Sequence, residues 1–146
     1  MRRKYFANAV VFGLFVGCLL LHCLPHSLAA EKKPAAPVVV PGVTIVSFDA
    51  PMRAVIGRKV NIETIIGNER ATKVTTILTV TCPTTKQQIG REAETLDGLS
   101  SQKIAYTWNT EGLKEGTYIL RVEIEKVPDE SDVSDNVKQI EILLVK

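Results

Sequence analysis

Between residues 116 and 146 the hydrophobic and polar positions alternate, break off, and alternate again. Tyr118, Leu120, Val122 and Ile124 share one parity while Arg121, Glu123 and Glu125 share the other. A period of two is the signature of an antiparallel strand with one buried face. Residues 128–136 read Pro-Asp-Glu-Ser-Asp-Val-Ser-Asp-Asn, a run of turn formers, and Ile140, Ile142 and Leu144 then resume the alternation. Two strands joined by an acidic loop form the closing hairpin expected of an immunoglobulin-like sandwich.

The same reading upstream gives five further strands, for seven in all. Residues 43–48 form the first, ended where Pro51 would interrupt a ladder. Residues 59–66 follow, with Val60, Ile62, Thr64 and Ile66 on one side and Gly67-Asn68 as the turn. In residues 73–82 the even positions Val74, Thr76, Leu78, Val80 and Cys82 form the core face, and the odd positions are mostly threonine. Residues 88–95 are polar and suit a sheet edge. Residues 102–108 turn Ile104, Tyr106 and Trp108 inward. The predicted class is all-β: a seven-stranded immunoglobulin-like β-sandwich, preceded by an N-terminal signal peptide.

The leader is read from Arg2, Arg3 and Lys4, an uncharged run over residues 5–24, and Ser27-Leu28-Ala29, which sets small residues for a cut after Ala29. Two alternatives are an uncleaved anchor, since the run nearly spans about 30 Å of hydrocarbon, and a lipid on Cys18. A membrane contact is expected only if the leader is retained or lipidated; otherwise the product is exported, to the periplasm or the cell surface. Residues 30–41, rich in Lys, Pro and Ala, read as a linker, and residues 42–146 as one domain of about 100 residues.

Cleavage changes the available chemistry. Both histidines (His22, His26) and two of the three cysteines (Cys18, Cys23) lie in the leader, leaving Cys82. Cys82 shares the core parity and reads as a small buried residue. Loss of Arg2, Arg3 and Lys4 takes the 18 basic side chains to 15, against 16 acidic ones. No nucleic-acid partner is expected from that balance. Without histidine there is no Ser-His-Asp or Cys-His arrangement and no histidine-rich zinc site, and the acidic residues fall on outward positions and turns. The expectation is no catalytic residue and no enzyme.

Gly57-Arg58-Lys59-Val60-Asn61-Ile62, Trp108-Asn109-Thr110 with Gly116-Thr117-Tyr118, and Glu130-Ser131-Asp132 with Asp135-Asn136 together resemble CARDB, the bacterial cell-adhesion-related domain family. The resemblance covers residues 43–145. It implies a seven-stranded immunoglobulin- or fibronectin-like fold and a non-catalytic, extracytoplasmic role in adhesion or assembly. The chain departs from the family pattern at Val137, where many members have a second Asn, and at Lys126-Val127-Pro128, where an early Asp is usual.

Trp108 reads as a core plug, and Tyr118, just after a glycine turn, as a tyrosine corner. Ile65, Ile77 and Ile89 fall out of phase with polar neighbours and could form an exposed apolar patch. Asp129, Glu130, Asp132, Asp135 and Asn136 are a calcium candidate by ligand hardness, though not by EF-hand spacing; no other cofactor is expected. The expected function is a binding, adhesion or assembly module with a protein or cell-surface glycan partner. The alternatives are a periplasmic accessory or chaperone-like protein using strand addition, or a calcium-stabilised structural domain.

Overall fold

The computed structural model describes residues 39–146. The leader and most of the linker lie outside the described residues. Eight strands follow in chain order: β1 (Val43–Asp49), β2 (Arg53–Val55), β3 (Lys59–Asn68), β4 (Val74–Cys82), β5 (Gln87–Leu96), β6 (Ser101–Asn109), β7 (Gly116–Ile124) and β8 (Val137–Val145). They form a three-stranded sheet, β1-β3-β6, and a five-stranded sheet, β2-β8-β7-β4-β5. All pairings are antiparallel except that of β2 with β8.

The count of seven is therefore corrected to eight. Arg53–Val55 is too short for a period of two to be seen, and it is stabilised by its neighbour: it pairs with Leu143–Val145, and Leu143 N–H donates to Met52 O at 3.0 Å. The turn expected at Gly67-Asn68 is also corrected. Both residues continue β3, opposite Thr44 and Val43 of β1. Asn68 does close a turn, but with its side chain: Nδ2 donates to Thr72 O (2.8 Å) and Asp97 O (2.9 Å), and Oδ1 accepts from Arg70 N (3.0 Å). These bonds replace the ladder where the chain leaves the sheet.

The alternation read from the sequence is the burial pattern of the fold. Thr76, Leu78, Val80 and Cys82 of β4 are buried, as are Ile104, Tyr106 and Trp108 of β6 and Tyr118, Leu120, Val122 and Ile124 of β7. Trp108, at 0 % exposure, reaches from the smaller sheet to meet Tyr118 of the larger one edge-on, with ring centroids 5.6 Å apart. Its indole N–H donates to Gln87 Oε1 at 3.2 Å, so the largest side chain of the core leaves no polar atom unpaired.

Candidate functional site

The β7–β8 loop opens on a tight turn. Glu130 N–H donates to Val127 O at 3.3 Å, with Pro128 and Asp129 between them and Asp129 in the left-handed region at φ 63°. Proline first and a positive φ second is the geometry of a type II turn. The turn sends the Glu130 side chain inward, to 2 % exposure. There Oε1 accepts from Val43 N and Oε2 from Val127 N, each at 2.9 Å. A β-carbon on Gly42 would stand 1.9 Å from Oε1, so only glycine fits beside the carboxylate.

The other candidate ligands are placed differently. The Asn136 amide is also buried. We orient its nitrogen toward Val43 O (2.6 Å) and Asp135 Oδ1 (3.3 Å) in preference to Glu130 Oε2 (3.3 Å), because the first choice uses both amide hydrogens. Asp135 is half-buried, and its carbonyl accepts from Ile45 N at 3.1 Å. Asp132 is exposed; Ser134 Oγ (2.7 Å) and Ser134 N (3.1 Å) both donate to its Oδ1 and hold its carboxyl below the usual range. Asp129 is exposed at the turn. The structure thus brings Glu130, Asp135 and Asn136 to the start of β1 and leaves Asp129 and Asp132 in solvent. Among the described residues, no group of three or more His, Cys, Asp or Glu is arranged to hold a metal ion.

The loop acts as a clamp on the incoming chain. Val40 N donates to Ser131 Oγ (2.8 Å) and Val40 O accepts from Ser131 N (3.1 Å). Arg70 spans the same junction, donating through Nε to Pro41 O (2.9 Å) and through Nη2 to Pro128 O. Among the described residues, hydrogen bonding to the domain begins at Val40, two residues before the expected domain start at Gly42.

The remaining sequence candidates fall in the core or on separate surfaces. Tyr118 is a tyrosine corner: its hydroxyl donates to Lys114 O at 2.8 Å and accepts from Lys114 N at 3.2 Å. Cys82 is a free, buried thiol. The isoleucine patch is corrected. Ile65 belongs to the three-stranded sheet and Ile77 and Ile89 to the other, and all three are half-buried. Exposed apolar side chains of the strands instead occur on β1, β2, β7 and β8, at Val46, Val55, Ile119 and Leu143.

The seam where β5 and β6 adjoin has no counterpart among the sites expected from the sequence. Each is the last strand of its sheet, and no ladder joins them. Gly90, Glu92 and Glu94 lie opposite Val80, Leu78 and Thr76 of β4, and so carry the inward parity of β5. A β-carbon on Gly90 would stand 2.3 Å from Tyr106 Cε1, so the missing side chain is what admits the Tyr106 ring. Gln102 Nε2 donates to Glu94 Oε2 across the seam at 3.1 Å. The buried Tyr106 hydroxyl has no hydrogen-bond partner, and burial, then Glu92 and Glu94, push its pKa up to about 12. Glycine and glutamate on an edge strand were the available signal; their pairing with Tyr106 needed the register.

No protein-family model and no curated protein matches the chain. Solved structures do. The CARDB domain of a Pyrococcus furiosus protein, crystallised in complex with di-metal ions, is 15 % identical and superposes with a TM-score of 0.62 over 79 % of this chain and 99 % of that one. Its solution structure gives 0.63 at 15 % identity, over 74 % and 98 %. A β-glucosidase from Erythrobacter marinus gives 0.58 at 10 % identity over 72 % of this chain, but only 16 % of the enzyme. The described residues form a CARDB-like β-sandwich domain.

Proposed function

We propose that the chain is a non-catalytic, extracytoplasmic binding or assembly module, exported by its leader and presented on a short tether. The observation that carries this reading is the clamp at the β7–β8 loop. The densest polar cluster of the domain is spent on fastening the entering chain, through Glu130 to Val43 N and Ser131 to Val40, instead of lining a cleft. A domain held so firmly at one pole presents its sheet faces and edges to a partner, either a protein or a cell-surface glycan. Apart from the half-buried Glu94 on β5, the carboxylates serve as turn and clamp groups or stand on exposed positions, which favours contact over hydrolysis. The part-length likeness to a glycosidase is a likeness of fold and carries no activity.

Strand addition is the second reading, favoured by the free edge of the ten-residue β5. A structural calcium ion is a weaker one, since at the acidic loop it would compete with two backbone amides for Glu130.

Intact mass of the exported protein tests the leader: a species starting at Ala30 supports it, and retention of residues 1–29 or a lipid on Cys18 overturns the free, exported form. Crosslinking in the native cell tests the module. A specific partner captured through sheet or edge positions supports it, and turnover of a glycan or peptide panel that one Glu→Gln change abolishes overturns it.

A further inference from the structure

A buried hydroxyl with no partner is costly, and here the cost is set beside two carboxylates on a free sheet edge. Tyr106 is 7 % exposed, and its oxygen makes no hydrogen bond. Glu92 and Glu94 point to the same inward side of β5, and Gln102 satisfies one oxygen of Glu94. The backbone of β5 on the side away from β4 pairs with no strand among the described residues. A segment that paired there would place every second side chain over the seam.

We infer that the β5–β6 seam is the docking surface of this module for an extended basic segment of a partner protein, which adds to β5 and sets a lysine or arginine between Glu92, Glu94 and the Tyr106 hydroxyl. This rests on the strand-addition reading above and names its partner chemistry. Charge complementarity selects the occupant. An ammonium carries three donors, and the seam offers two carboxylates and a phenol oxygen free to accept. Inward-facing glutamates repel an acidic or apolar strand, so the edge is closed to indiscriminate pairing and open to a basic one. The competing account is that Glu92 and Glu94 only guard the edge against self-association.

The test uses the purified protein and three labelled eight-residue peptides: lysine alternating with threonine, glutamate replacing that lysine, and the same lysines and threonines in two blocks. Fluorescence anisotropy reads binding, and amide hydrogen exchange reads its location. The alternating lysine peptide binds and protects amides of β5. Glu92→Gln with Glu94→Gln weakens it about tenfold or more, as loss of two charge contacts does, and Tyr106→Phe weakens it with the fold intact by thermal melting. Equal binding of the glutamate or block peptides, protection on another strand, or indifference to the double variant overturns the inference. So does the absence of binding together with self-association of the double variant, which makes the glutamates a guard. A native partner captured equally well by the double variant leaves the module standing and removes this surface from it.

Discussion

Tyr118 and Tyr106 are nearly equally buried, at 8 % and 7 % exposure, and both face the core, yet their hydroxyls meet opposite conditions. Tyr118 exchanges hydrogen bonds with both backbone groups of Lys114, while the Tyr106 oxygen has no partner. The same contrast separates two carboxylates. Glu130 is buried and accepts from Val43 and Val127; Glu92, on the seam, is exposed. A buried polar group whose bonds are complete holds the fold together. One left incomplete at an open edge is a place where a second molecule can complete it.

Removal of the packing that both regions share has the largest effect. Trp108→Ala and Tyr118→Ala should each cost about 3 to 5 kcal/mol in urea melts, the range for deleting a buried aromatic, whereas Thr107→Ala, at the exposed neighbour, should cost under about 0.5 kcal/mol. Equal losses at Trp108 and Thr107 would show the inward face to be misassigned. Next comes the clamp. Glu130→Ala leaves the Val43 and Val127 amides buried without acceptors, at about 3 kcal/mol for the pair, while Glu92→Gln should move stability by less than about 0.5 kcal/mol. Similar losses at the two glutamates would remove the distinction between pole and seam.

The hydroxyls give the sharpest version of the contrast. Tyr118→Phe should destabilise by about 1 kcal/mol, because it leaves the Lys114 groups unpaired, and Tyr106→Phe should be neutral or stabilise by up to about 1 kcal/mol, because it deletes an unpaired donor. In alkali the sign follows from the protonated form. The folded protein holds the Tyr106 proton up to about pH 12, whereas an unfolded tyrosine releases it near 10.0. Stability is therefore lost as pH rises between those values, and Tyr106→Phe should flatten that part of the profile. An unchanged profile would place the phenol in ordinary solvent.

Much of the fold was legible because a half-buried strand shows its parity in single residues. Leu78, Val80 and Cys82, or Ile104 and Trp108, announce their face without knowledge of the partner strand. Arg53–Val55 was not legible, since three residues owe their conformation to β8. Asn68 looked like a turn residue and is one, through its side chain, while its backbone stays in β3. The acidic loop was legible as a loop, but not the direction in which each of its side chains points. Composition shows five oxygen-bearing side chains; the turn at Pro128-Asp129 decides that Glu130 points to the backbone of β1. The seam required register, because nothing local in Gly90, Glu92 or Glu94 says that Tyr106 lies across from them.

The smallest expected effect separates clamp from metal site. Calcium that bound only the folded state would raise the melting temperature with its free concentration. At the pole, both oxygens of Glu130 are held by amides at 2.9 Å, and Asp132 is satisfied by Ser134. A calcium ion would therefore have to break bonds already made in order to gather its six to eight oxygens. Titration with calcium and then with EDTA should leave the melting temperature unchanged. A rise that Asp132→Asn and Asp135→Asn together abolish would show the loop to be a metal site that closes on binding, and the pole would join the seam as a region completed from outside.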